Sequence, residues 1–160
     1  MDVQGFKGGC RMLINPIGYV KSEVIEQKDH DWSSTISHII ITPEYAEGLS
    51  GLSEFSHIIV IYHLHQAEFN PARDLIRRPQ GRENMPMIGI FAQRAKNRPN
   101  PIGITAVKLL AVENNIITVE ALDAIDETPI LDIKPYYPQY DLKDNVIVPQ
   151  WVNILMEQYF

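Results

Sequence analysis

A chain of 160 residues with 45% hydrophobic and 21% charged residues is long enough to bury one core and ordinary enough to be one globular domain. No apolar run approaches the roughly 20 residues of a membrane-spanning helix, and the single cysteine, Cys10, rules out an intrachain disulfide and fits a reducing cytoplasm. The net charge of −6 is unevenly spread: residues 73–98 hold seven Lys/Arg against two acids, net +5, leaving −11 for the rest, so a local anion-binding region sits in an acidic protein.

Residues 1–11 read as a loose, glycine-bearing lead-in without the continuous apolar core of a secretory signal, and 12–160 as a single domain. Residues 12–21 read as an edge-like strand, and polar 22–34 as a loop. β-Branched 35–42 reads as a strand, and 43–48, with Pro43 first and Gly48 last, as one helical turn. FSHIIVIYHLHQ over 55–66 is the most apolar run and reads as a central strand. Residues 67–85 form a long polar excursion of the kind that carries function, and 87–92 the next strand. Strands at 102–112 and 116–122 flank Glu113-Asn114-Asn115 as a hairpin. An acidic loop at 123–129 precedes a short strand at 130–133, and a helix over 150–158 presents Trp151, Ile154 and Leu155 as its apolar face. Strands dominate and no βαβ alternation appears. The expected fold is therefore mainly β: an antiparallel β-barrel with short helical turns and a C-terminal helix.

Residues 89–103, GIFAQRAKNRPNPIG, combine three cations with a Pro-Asn-Pro that stiffens the backbone. Such a loop between strands suits an anionic or polar ligand. Histidines 57, 63 and 65 share a parity on the central strand. His57 lies about 20 Å from His63 along an extended strand, so only a pair remains, without a located third ligand, and no metal is expected. Neither a GxGxxG after a strand nor a GxxxxGK[ST] is present, so an adenine-bearing ligand would have to bind in loops on a barrel, with the acidic loop 123–127 a candidate acceptor for ribose hydroxyls.

FSHIIVIYHLHQ, GIFAQRAKNRPNPIG and ALDAIDETPILDIKPYYPQYD resemble the TrmO/TsaA-like family of S-adenosylmethionine-dependent tRNA methyltransferases, over about Ile14 to Asp141. The resemblance implies a homodimeric β-barrel enzyme that methylates N6 of threonylcarbamoyladenosine beside the anticodon of tRNA. It carries cofactor contacts to His65, Gln66, Arg94, Ile104, Asp126, Glu127 and Thr128. In the distinctive motifs, Asn100, Asp132 and Tyr136 are the candidates for accepting the N6 proton or stacking on the base. Arg78, Arg82, Lys96, Arg98 and Lys134 are the candidates for contacting tRNA. Two departures stand out: Glu127 occupies the place of a glycine, and the Pro-Arg-Gln of many bacterial members has no counterpart, its nearest occupants being Asp31 and Trp32. With the sequence ending at Phe160, the additional C-terminal domain of bacterial members is expected to be absent. The alternatives are a non-catalytic barrel that binds RNA or a nucleotide metabolite, and a methyltransferase for another substrate.

Overall fold

In the computed structural model, which describes residues 12–157 and 159–160, six antiparallel strands close a barrel in the order β1-β2-β7-β6-β3-β8. These are β1 (Gly18–Lys21), β2 (Ile36–Ile41), β3 (His57–His63), β6 (Ile102–Glu113), β7 (Ile116–Glu120) and β8 (Pro129–Pro135). A separate two-stranded sheet pairs β4 (Ile76–Arg77) with β5 (Ile88–Gly89). Among the described residues there are also three short α-helices, α1 (Pro71–Asp74), α2 (Pro138–Asp141) and α3 (Gln150–Met156). The expected lead-in 1–11, with Cys10, lies outside the described residues.

Period-two patterning decides which side chains enter the barrel. In β2, Ser37, Ile39 and Ile41 point inward while Ile36, His38 and Ile40 face out. In β3, Ile58, Val60 and Tyr62 point inward and His57 outward. The interior is filled by Val20, Ile39, Ile41, Ile58, Val60, Val107, Ile117, Val119, Leu122 and Ile130, none more than 2% exposed. Burial of each such side chain is worth about 1.5–3 kcal/mol, which makes this cluster the main source of stability. Leu49 and Leu52, from the 3₁₀ turns Pro43–Leu49 and Leu52–Glu54, pack against the same cluster.

Several expected elements change length or kind. The central strand spans His57–His63 rather than 55–66, because Leu64 turns its amide to Pro101 O (2.8 Å) and His65 to His63 O (2.8 Å). The strand expected at 87–92 is only the two residues of β5, followed by a 3₁₀ turn at Ile90–Ala92. The Gln93 amide group donates to Arg77 O and Ile88 O, both at 3.2 Å, and this ties the segment to β4 rather than to the barrel. The first strand is confined to Gly18–Lys21, and β8 extends to Pro129–Pro135. On α3, Trp151 and Leu155 are half-buried, while Ile154 is 44% exposed.

Strand direction sorts the connections between two ends. Lys21 pairs with His38, Ile36 with Glu120, His63 with Ile102 and Tyr19 with Pro129. The three connections 22–35, 64–101 and 121–128 therefore all emerge at one end, the rim. The Asn114–Asn115 turn, the 42–56 connection and the exit of β8 at Tyr136 lie at the other.

Candidate functional site at the barrel rim

The rim begins with a fastening between β1 and the acidic loop. Asp126 accepts from Lys21 Nζ and from the Ser22 amide, each at 2.9 Å, and its own amide donates to Val24 O at 2.8 Å. The Lys21 ammonium, aided by the Ser22 amide, holds the Asp126 carboxyl below its ordinary value, and the same pairing raises Lys21. Glu127 follows with φ 62, in the left-handed region that glycine enters freely, and donates its amide to Val20 O at 2.8 Å. Glu127, expected from the resemblance to stand where a glycine would, thus takes a φ that glycine favours. Thr128 is buried at 2% exposure.

The long 64–101 connection lies beside this loop. Gln66 Oε1 accepts from Gln27 Nε2 at 3.2 Å, and the Lys96 ammonium donates to Gln27 Oε1, so the first two rim connections are cross-linked by side chains. Gln80 Nε2 adds a bond to Asp29 O at 3.3 Å. Arg94 donates to the carbonyl of Ile104, whose side chain is 49% exposed on the outer wall of β6. His65 is half-buried; Gln66, Arg94, Lys96 and Asn100 are exposed. A cleft of about 420 Å³ opens among Arg73, Arg77, Arg78, Met87 and Asn97. At its edge the fully buried Asp74 receives Arg73 at 2.9 Å, Arg77 at 3.4 Å and the Asn70 amide at 2.8 Å. Those contacts, Arg73 first, lower its carboxyl to about 2. Arg78 donates to Met85 O, Arg82 is exposed and Arg98 is half-buried.

His65, Gln66, Arg94, Lys96, Asn100 and Asp126–Thr128 are thus brought to one end of the barrel. Asp132 and Lys134 are not: they form an ion pair of 2.5 Å on the outer wall, with Asp132 opposite Ile61 and Ile61 opposite Ile104. Tyr136 lies a barrel length away, its amide donating to His57 O at 3.1 Å and its ring 6.4 Å from His57. His63 faces outward at the end of β3, and among the described residues no group of three or more His, Cys, Asp or Glu side chains converges.

The sequence marks the acidic loop 123–127 as able to take ribose hydroxyls, but not the polar cluster that Asp123 gathers at the mouth. Asp123 accepts from the Tyr62 hydroxyl at 2.8 Å, from Thr105 and, on its other oxygen, from the Tyr159 hydroxyl at 2.8 Å. Burial, and then the Asp123 charge, push both tyrosine hydroxyls upward, so they remain donors. These residues come from four separate elements, and no spacing links them. The only signal was the Asp-Ala-Ile-Asp pair of carboxylates.

The molecule is therefore a single closed barrel whose rim combines fixed carboxylates, exposed cations and amides, the equipment of a polar-ligand-binding barrel. The family model for the tRNA-methyltransferase O N-terminal domain matches residues 20–142, and the chain belongs to that family. A probable S-adenosyl-L-methionine-binding protein of Pyrococcus abyssi is 43% identical over 136 residues, covering 82% of this chain and 71% of the relative. The human tRNA (adenine(37)-N6)-methyltransferase is 32% identical over 149 residues, with 86% of this chain and 33% of the human protein covered. The crystal structure of TrmO from Pseudomonas aeruginosa superposes with a TM-score of 0.71 at 29% identity, over 88% of this chain and 62% of that one. The chain thus spans about a third of the human enzyme and under two thirds of the crystallised protein.

Proposed function

We propose that the protein is an S-adenosylmethionine-dependent methyltransferase acting on N6 of threonylcarbamoyladenosine beside the anticodon of tRNA. The observation that carries this reading is the gathering of His65, Gln66, Arg94 and the Asp126 loop at one rim, in a chain whose relatives bear S-adenosylmethionine-binding and tRNA-methyltransferase names. The donor set fits such a cofactor. Arg94 offers a guanidinium to an amino-acid carboxylate, rim carboxylates and amides accept from ribose and amino groups, and the acidic loop favours a sulfonium cation. When bound, S-adenosylmethionine supplies an electrophilic methyl group.

Methyl transfer of this kind depends on alignment more than on strong acid–base chemistry. His65 and Gln66, just past the end of β3, and Arg94, anchored on the β6 carbonyl of Ile104, lie in the 64–101 connection and fix one partner. Exposed Asn100, between two prolines, offers a side-chain oxygen to the N6–H. Arg78, Arg82, Lys96 and Arg98 belong to the net +5 segment and contact tRNA phosphates. In this reading the working unit is a cytoplasmic homodimer that buries the wall of Ile102 and Ile104, 41% and 49% exposed. Asp132 and Lys134, on that same wall, then come to the subunit boundary, and Tyr136 enters chemistry only if a partner's rim approaches it.

Calorimetric titration with S-adenosylmethionine, followed by mass spectrometry of threonylcarbamoyladenosine-containing tRNA incubated with protein and cofactor, tests the reading. Arg94→Ala is expected to weaken cofactor binding at least tenfold. Absence of both cofactor binding at millimolar concentration and a methyl gain on the adenosine would sink it.

A further inference from the structure

The carboxylate of Asp123 divides its acceptors between wall and tail. Oδ1 takes the hydroxyls of Tyr62 and Thr105, which are 2% and 6% exposed and belong to β3 and β6. They cannot leave without opening the barrel. Oδ2 takes the hydroxyl of Tyr159, from the segment that follows α3. Tyr159 is only half-buried, its carbonyl accepts from the Trp32 amide at 3.1 Å, and its ring meets Phe160 edge-on at 4.9 Å. The charges that act on its hydroxyl belong to Asp123, Asp29 and Arg94. One residue after α3 therefore joins the 22–35 and 121–128 connections, over the polar mouth of the barrel.

A carboxylate accepts about four hydrogen bonds. With Oδ1 satisfied from inside, Oδ2 is the atom that anything seated in the mouth would meet. A tyrosine hydroxyl donating at 2.8 Å to that atom makes the same bond that a ribose hydroxyl makes. We propose that Asp123 recognises a hydroxyl of a nucleoside ligand, and that the Tyr159 hydroxyl is its internal stand-in, holding that place until the ligand displaces it. The proposal rests on the methyltransferase reading in one respect: the nucleoside is taken to be the cofactor, and its ribose the competing group. The segment after α3 then sets cofactor affinity by competition. Tyr159 is a specificity-determining residue whose loss improves binding, whereas Asp123 touches the ligand itself.

The experiment is calorimetric titration of the full chain with S-adenosylmethionine, for wild type, Tyr159→Phe and Asp123→Asn, each paired with a thermal melt. Tyr159→Phe keeps the ring and removes the competing donor, so it is expected to melt lower and yet bind about three- to tenfold more tightly. A merely structural tyrosine cannot move the two readouts in opposite directions. Asp123→Asn is expected to weaken binding about tenfold or more. Should Asp123→Asn not fold, the paired readouts of Tyr159→Phe, tighter binding with a lower melt, carry the test. Unchanged or weaker binding by Tyr159→Phe, or unchanged binding by a folded Asp123→Asn, overturns the proposal while leaving the methyltransferase reading intact. No binding by either wild type or Tyr159→Phe, together with no methyl gain on the adenosine, overturns both.

Discussion

Glu127 shows what a single side chain concedes to keep a loop in shape. Its φ of 62 is held by the amide bond to Val20 O, and its side chain is exposed. A left-handed non-glycine residue costs about 1 kcal/mol or more, whereas glycine adopts it freely but has more entropy to lose. Glu127→Gly is therefore expected to raise stability by about 0.5–1 kcal/mol, which a urea titration measures; a loss of stability would show that the glutamate makes a compensating contact. Asp74 acts through charge instead. Its folded carboxyl is lowered from 3.8 to about 2 by Arg73, Asn70 and Arg77. Because the folded value is depressed, its stabilisation is complete above about pH 4 and is lost as pH falls through about 2. Asp74→Asn is expected to lower stability at neutral pH and to flatten the acid limb of the stability profile between about pH 4 and pH 2. Melts taken across that window check both effects.

At the scale of elements, the barrel strands are legible in the sequence because they alternate: His38 between Ile39 and Ser37, or Val119 between Thr118 and Glu120, leaves one face for the core. The hairpin at Asn114-Asn115 is legible from turn chemistry, and Asn114 takes φ 56 there. The small β4–β5 sheet is not, since a two-residue strand has no period to read and is held by Gln93, a side chain outside it. Gln93→Ala removes two part-buried bonds and is expected to cost about 1–3 kcal/mol. It should also make residues 67–98 the first cleaved in limited proteolysis; unchanged cleavage there would mean that other contacts carry the segment. The candidate site divides in the same way. Motifs confined to one stretch of chain, such as His65-Gln66 or Asp126-Thr128, can be located from residue order alone. The partners of Asp123 in the acidic loop, Tyr62, Thr105 and Tyr159, cannot, because only folding brings three distant elements to one carboxylate. Tyr136 shows the converse: adjacency to Lys134 and Asp132 in sequence says nothing of which end of β8 a side chain occupies.

For the whole molecule, closure of the barrel separates scaffold from rim. β3 is paired along its length with both β6 and β8, so the centre of the sheet has no free edge. β1 meets β8 at only two positions, Gly18 with Ile130 and Tyr19 with Pro129, and proline donates no bond. The contact is completed by Ile17 N to Ile130 O (2.8 Å) and Val20 N to Thr128 O (3.0 Å). It also joins the sequence near residue 18 to that near 130, a long loop to close, so it forms late in folding. The barrel thus resembles a strip with one weak fastening. Thermal opening peels β1 away first, carrying Lys21 from Asp126 and slackening the rim while the inner core stays shut. In native-state hydrogen exchange the amides of Ile17 and Val20 are expected to exchange before those of β3, with equal protection excluding such a seam. A ligand that grips the Asp126 loop then stitches the seam as it binds, and its arrival is written in the protection of two amides that it never touches.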